Sequence, residues 1–295
     1  MREIIIDATS AGQRLDKFCL RNLGNPPKAF VQKSLRKKNI TVNGKKAEGA
    51  HMLAIGDVVR IFISEATIEQ FAAPAKTYPK GEIDIIFEDA NILIANKPPG
   101  LLTQPNDESG DSLLGRVINY RLLHNDDKTQ FQAVCINRLD RNVSGVVIFA
   151  LTLKSAQELS ELMRNRQIEK LYLGVCEGEV LKEMTLTGKI SKDTDSNTSW
   201  VSEKGFGKEV KTTITPLSHQ NGTTMLKINL HTGRSHQIRA HLQSIDKPLV
   251  GDKKYGGKPG ARPLLHAWQV TINGNIYTAS LPDDIEGYFD MQVVR

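Results

Sequence analysis

The amino-acid sequence predicts an α+β protein: a mixed, mostly antiparallel extended sheet with flanking helices, preceded by a small helix–helix–hairpin domain. Three observations carry this. Short β-rich runs dominate from Ile83 onward, at 83–87, 92–95, 143–150, 171–175, 212–217, 225–230 and 269–272. Helical spacing of apolar residues appears at 113–123, 155–164 and 236–244. The first fifth of the chain differs in charge: residues 1–63 hold 12 Lys/Arg against 5 Asp/Glu, and the remainder holds 27 against 28.

In chain order, residues 13–23 place Leu15, Phe18, Cys19 and Leu23 at helical spacing. Pro26-Pro27 ends that helix and opens a second over 28–38, with Phe30, Val31 and Leu35 as its apolar stripe. Ile40-Thr41-Val42 reads as a strand, Asn43-Gly44 as a tight hairpin turn, and 58–63 as the strand that closes the unit. This assigns the first domain to 12–63. Residues 64–80 include an Ala/Pro-rich portion around Pro74, lack amphipathic periodicity and read as a linker. The larger domain then occupies 81–295.

A chain of 295 residues with 39% hydrophobic and 24% charged residues has material for two domains and a sizeable core. No apolar run approaches the roughly 20 residues of a membrane span. Met1-Arg2-Glu3-Ile4-Ile5-Ile6-Asp7 has no long apolar segment of the kind a secretory signal needs, so a cytoplasmic protein without membrane contact is expected. Cys19, Cys135 and Cys176 are too scattered for a disulfide framework or a zinc site and read as reduced thiols. The net charge of +6 lies in the N-terminal unit. Lys33, Arg36, Lys37 and Lys38 spread over one side of the second helix, with Lys45 and Lys46 just beyond the hairpin turn. Such a cluster contacts several phosphates at once, and the counterions it releases make binding steeply salt-dependent. Taken alone it reads as a solvated basic face; beside this frame it points to RNA.

Four ordered segments carry the chemistry. They are Asn96-Lys97-Pro98-Pro99-Gly100-Leu101; Asn137-Arg138-Leu139-Asp140-Arg141-Asn142-Val143-Ser144-Gly145; Glu169-Lys170-Leu171-Tyr172; and Thr232-Gly233-Arg234-Ser235-His236-Gln237-Ile238-Arg239-Ala240-His241. Alone, an Arg-x-Asp turn is a common structural feature. Together, over residues 82–270, the segments resemble the RluA-type family of pseudouridine synthases. The N-terminal unit likewise resembles the alpha-L RNA-binding motif, with Arg14-Leu15-Asp16-Lys17 and Ile40-Thr41-Val42-Asn43-Gly44-Lys45 at its signature positions. The resemblance adds Arg14 and Lys17 to the RNA-binding set.

Pseudouridine formation detaches uracil from ribose, turns it over and rejoins it through a carbon, with bond count and oxidation level unchanged. The family resemblance therefore implies no cofactor and no metal. It implies that Asp140 is the essential aspartate, held ionised by Arg239, whose planar fork suits a carboxylate. It implies that Tyr172 stacks beside the target uracil and takes part in its deprotonation. Arg138 matches the residue that fills the gap left by the flipped uridine. Leu264-Leu265-His266-Ala267 resembles a late family motif, which puts Leu265 under the base. Lys170, two residues before Tyr172 on one strand, is expected on the same face, toward the site or the RNA backbone. His236 and His241 are five residues apart, which is poor for one helix face, so structural hydrogen bonding or RNA contact is expected of them.

The sequence departs from the family pattern at Asn137 (often His), Val143 (often Thr) and Gln104 (often His), which bears on substrate preference more than on activity. The resulting expectation is a monomeric enzyme that isomerises uridines in large-subunit ribosomal RNA. Transfer RNA is the alternative substrate. Two rivals stand beside it: a non-catalytic RNA-binding or ribosome-assembly protein with a synthase fold, and a uracil-releasing glycosidase.

Overall fold

The structure is a computed structural model that describes residues 1–8, 10–71, 78–105, 110–124, 131–193, 198–202 and 206–288. The N-terminal unit runs β1 (Arg2–Ile5), α1 (Leu15–Asn22), α2 (Lys28–Arg36), β2 (Ile40–Val42), β3 (Val58–Ile61) and α3 (Glu65–Glu69). Leu15, Phe18 and Cys19 of α1 and Val31 and Leu35 of α2 bury the predicted stripes against Ile40, Val59 and Ile61. The Asn43-Gly44 turn forms as read, both residues having positive φ (52° and 73°), and it pairs Val42 with Lys45. Two elements exceed the 12–63 reading. Strand β1 adds to β3 from the far side, giving the order β1-β3-β2. Helix α3 lies within the expected linker, capped by the Ser64 side chain and burying Ile68 in the same cluster. Residues 72–77, the centre of the linker reading, lie outside the described residues.

The larger part runs β4 (Asp84–Glu88), β5 (Ile92–Lys97), α4 (Leu113–His124), β6 (Val134–Cys135), β7 (Ser144–Ala150), α5 (Leu153–Arg164), β8 (Glu169–Glu177), β9 (Met184–Asp193) and β10 (Thr198–Ser202). It continues through β11 (Lys208–Gln220), β12 (Thr223–Leu230), α6 (Gln237–Ser244), a 3₁₀ turn at Lys253–Tyr255, β13 (Leu265–Ile272), β14 (Asn275–Thr278) and α7 (Asp283–Glu286). The strands form one 11-stranded sheet, β10-β9-β11-β12-β8-β13-β7-β5-β4, with β14 on β13 and β6 on β7. Among the described residues every strand pairing in this sheet is antiparallel except β13 with β7, a seam of two residue pairs, His266 with Ser144 and Ala267 with Gly145.

Alternation along the strands sends residues to opposite faces. Val147 and Phe149 of β7 pack with Leu113 and Val117 of α4 and Ile238 and Leu242 of α6. Val146 and Ile148 pack with Leu159 of α5, whose N-terminus is closed by a reciprocal Thr152–Ser155 cap. Each fully buried residue of the size of Phe149 contributes about 1.5–3 kcal/mol from burial. Among the described residues no helix is long and apolar enough to cross a membrane.

Gly145 decides whether the seam closes. Its φ is 115°, and a Cβ there would lie 2.1 Å from the Ala267 carbonyl oxygen. Gly145→Ala is expected to destabilise the protein by at least about 3 kcal/mol, since backbone on backbone cannot relax as a side chain can. A fall in the urea midpoint at unchanged slope measures it; a midpoint equal to that of the unaltered protein would refute the role.

Candidate active site around Asp140

The segment between β6 and β7 has no regular structure, so side chains and loop backbone fasten it. Asn137 stands in for a missing strand: its amide Nδ2 donates to the Val146 carbonyl at 3.1 Å and its Oδ1 accepts from the Ile148 amide at 2.8 Å. Thr103 grips Leu139 from both sides, its hydroxyl donating to the Leu139 carbonyl at 2.8 Å and accepting the Leu139 amide at 3.1 Å. The Arg141 carbonyl accepts from the Gly100 amide and from Lys97 Nζ, both at 2.9 Å, and Arg141 Nε donates to the Gly100 carbonyl at 2.9 Å. Asp140 therefore sits between two residues whose backbones are pinned by the Lys97–Thr103 stretch.

Lys97 has no exposed surface, and its ammonium donates to the carbonyls of Pro98, Leu101 and Arg141 at 2.8–2.9 Å. Burial, with Arg262 second, pulls its pKa down to about 7 against the opposing charge of Asp140. Arg262 ties in the next strand: its Nη1 donates to the carbonyls of Asn142 and Leu265, while its fork holds Asp284 of α7 at 2.6 Å.

The Asp140 side chain is 31% exposed. Its Oδ2 accepts from Arg239 Nη1 at 2.9 Å and lies 3.6 Å from His236 Nε2. The fork of Arg239 is not spent on Asp140. Nε and Nη2 grip Asp252 at 2.7 and 2.8 Å, and the guanidinium carbon lies 4.6 Å from the centroid of the Tyr255 ring. Burial opposes the charge on Arg239, but Asp252 and then Asp140 outweigh it and hold its pKa above the ordinary arginine value. Tyr172 is buried on β8 opposite Ala267, in the same cluster as Leu139 and Leu265. Burial, and then the charge of Asp140, pushes its phenol pKa up.

Asp140, Arg239, Tyr172 and Leu265 thus converge, and Arg138 is exposed one residue from Leu139. Lys170 does not join them. A bulge in β13 between Ala267 and Gln269 sets Lys170 opposite Val270, in the cluster under α5, whereas Tyr172 stands opposite Ala267, under α4 and α6. The Lys170 ammonium lies against the Ile168 carbonyl (3.3 Å) and Met163 Sδ (3.8 Å). The expected place toward the site or the RNA backbone is not the one the ammonium takes. His241 is buried with Nδ1 on the Thr212 hydroxyl at 2.8 Å, a structural contact.

In the N-terminal unit Lys17, Lys33, Arg36, Lys37, Lys38, Lys45 and Lys46 are all exposed. Arg14 is exposed too, but its Nε and Nη2 donate to Asp16 at 3.1 and 2.7 Å, which offsets its charge. A hollow of about 220 Å³ between α1 and α2 is lined by Arg14, Lys17 and Lys28 together with Asp16.

Sequence reasoning passed over Lys97, Thr103, Asp252 and Tyr255 as site residues. A lysine closing the apolar run 92–95 inside a quoted motif was a signal for Lys97; Asp252 and Tyr255 carried none.

A sequence model of the family described as RNA pseudouridylate synthase matches residues 91–244. A ribosomal large subunit pseudouridine synthase D of Yersinia pestis is 31% identical over 266 residues, covering 88% of this chain and 78% of the relative. An uncharacterized RNA pseudouridine synthase of Bacillus subtilis (strain 168) is 30% identical, covering 91% and 87%. Among solved structures, human RNA pseudouridylate synthase domain containing 4 superposes with a TM-score of 0.58 at 21% identity, covering 69% of this chain and 90% of that one, a likeness of fold.

Lys97 generates a testable pH dependence. Its folded pKa lies below the unfolded value of about 10.4, so between pH 7 and 10 the unfolded chain binds more protons and unfolding free energy rises with pH. Lys97→Met strips three carbonyls of their donor. It is expected to lower stability by about 2–4 kcal/mol and to remove its share of that rise. Urea unfolding of both proteins at pH 7 and pH 10 measures this, and parallel pH curves would refute it.

Proposed function

This chain belongs to the RNA pseudouridylate synthase family and is an enzyme that isomerises uridine in RNA to pseudouridine, and we propose that it does so through Asp140, acting on large-subunit ribosomal RNA. The observation that carries the first part is the Asp140–Arg239 contact at 2.9 Å, on a backbone pinned at Leu139 and Arg141. The reaction breaks the bond from ribose C1′ to uracil N1 and forms one from C1′ to C5. The hydrogen leaves C5 and N1 regains a proton, so the product has the mass of the substrate. An ionised carboxylate serves this chemistry as a nucleophile or by stabilising positive charge at the sugar. Arg239 orients Asp140 without enclosing it, since the guanidinium fork is already taken by Asp252.

Tyr172 supplies an apolar face for the base, beside Leu265. Its raised pKa keeps the phenol protonated, which supports stacking and hydrogen bonding over action as a preformed phenolate. Arg138, exposed beside the pinned loop, is free to enter the stack that the flipped uridine leaves. Lys170 has no part in this reading.

In the same reading the N-terminal unit, over residues 12–63 with β1 and α3 attached, holds structured RNA. The segment near 64–80 connects it to a catalytic unit over 81–295. Its exposed lysines grip phosphates, which position RNA without reading its sequence. The ribosomal substrate rests on relatives from Yersinia pestis and Nitrosomonas europaea named as ribosomal large subunit pseudouridine synthases.

Asp140→Asn is expected to lower conversion by at least about 10³-fold while RNA affinity stays within about twofold. A pseudouridine map of cellular RNA with the gene present, deleted, and restored as Asp140→Ala tests this together with the substrate. Large-subunit sites lost on deletion and not regained carry the proposal. Sites regained by the variant overturn the role of Asp140, and losses confined to transfer RNA overturn the ribosomal substrate. Changing Lys33, Arg36, Lys37 and Lys38 together to Gln is expected to weaken RNA binding and to flatten the slope of log affinity on log salt by about 3. An unchanged slope removes the N-terminal unit from RNA binding.

A further inference from the structure

His236 is the residue on which the chain turns into α6, with a left-handed backbone (φ 56°) that few non-glycine residues adopt. That turn carries its half-buried ring to a place between two hydroxyl- or carboxyl-bearing residues. Nδ1 lies 2.9 Å from the Tyr255 hydroxyl, and Nε2 lies 3.6 Å from Asp140 Oδ2.

The tautomer follows from counting protons. Tyr255 is 1% exposed, and its hydroxyl oxygen accepts the Ser199 amide hydrogen at 2.8 Å. A phenol has a single hydrogen to give, and of these two neighbours it is Nδ1 of His236 that can accept it. Nδ1 is then the acceptor, and in a neutral imidazole the ring hydrogen sits on Nε2, toward Asp140. The surrounding groups keep the ring neutral. Burial lowers its pKa; Asp140 opposes this, Arg239 and Lys254 add to it, and Asp252 opposes it again, with the balance below the ordinary histidine value.

We propose that His236 is a positioning residue for Asp140: the Nε2–H, oriented by Tyr255 and Ser199, and the Nη1–H of Arg239 both address Oδ2, so that Oδ1 is presented to the substrate. Among the described residues no hydrogen bond is made to Oδ1, and the side chain is open to solvent over 31% of its surface. The separation of 3.6 Å is long for a hydrogen bond, and such contacts shorten when substrate closes the site. Arg239 alone would leave the carboxylate free to rotate about one contact; a second donor on the same oxygen fixes its plane. The arrangement also ties the site to β10, an edge strand of the sheet, through the Ser199 amide.

The proposal rests on the reading of Asp140 as the reacting carboxylate, so the test carries Asp140→Asn alongside. The probe is total ribosomal RNA from cells lacking the gene, with its uridines tritiated at C5, because isomerisation frees that hydrogen to water. Single-turnover rates and RNA dissociation constants are measured separately for His236→Ala, His236→Gln and Tyr255→Phe. His236→Ala is expected to slow the chemical step by about 10–100-fold with RNA affinity within about twofold. His236→Gln, whose side-chain amide donates from a similar reach, recovers at least half of that loss on a logarithmic scale. Tyr255→Phe, which frees the tautomer, slows the step several-fold, again without changing affinity.

His236→Ala turning over at the full rate overturns the proposal, as does a glutamine variant no better than the alanine one. A loss confined to affinity overturns it in favour of a direct RNA contact. If His236→Ala gives no folded protein by circular dichroism, Tyr255→Phe decides, and a full rate there overturns the proposal. Full turnover by Asp140→Asn would instead bring down the reading of Asp140 and the proposal with it.

Discussion

A guanidinium with 9% of its side chain exposed is the constraint on which the site depends. An unpaired buried charge is not tolerated in a protein interior, so Arg239 must be supplied with counter-charge wherever it lies. Asp252, itself 1% exposed, supplies it through two parallel hydrogen bonds, and the Tyr255 ring covers one face. The consequence falls on Asp140. Were Arg239 unpaired, its fork would close on Asp140 and occupy both carboxylate oxygens. With Nε and Nη2 engaged by Asp252, it is Nη1 that reaches Asp140, and it meets one carboxylate oxygen, Oδ2.

The second constraint is the absence of regular structure around Asp140. A loop gains precision only when its backbone groups are paired one by one. Here Lys97, Thr103, Gly100 and Asn137 do that, and three of the four come from the single stretch Lys97–Thr103 at the end of β5. The buried ammonium of Lys97 is suited to the task because its three hydrogens reach two carbonyls of the Pro98–Leu101 turn and one of the Asp140 loop. A neutral side chain of that length has no comparable set of donors.

Much of the sheet was legible in the sequence because its inner strands bury nearly continuous apolar runs, as 143–150 does. What escaped has a physical reason in each case. Strand β9 is exposed along every second residue and mixes Thr and Lys with Leu and Ile, so no apolar run marks it. Helix α3 and strand β1 are five and four residues long, too short for periodicity to register. In the site, Asp140 and Arg239 were brought to notice by motifs, since 99 residues separate them. Lys170 was expected toward the site from strand alternation with Tyr172, and its ammonium turns instead to the Ile168 carbonyl and to Met163 of α5, a tertiary contact that strand alternation does not carry. Asp252 was passed over because an Asp after a Gly near a turn reads as an ordinary loop residue.

The two-pair seam between β7 and β13 has a bearing on how the chain assembles. Asp140 leads into β7, while Tyr172 and Leu265 belong to the part of the sheet beyond the seam and Arg239 to α6, and the seam joins residues more than a hundred positions apart. Contacts that close loops of this length form late, because the chain entropy they remove is returned only by the packing that follows. The carboxylate approaches the site from one side of a joint of two residue pairs and Tyr172 and Leu265 from the other, so activity in this protein requires that joint to be closed.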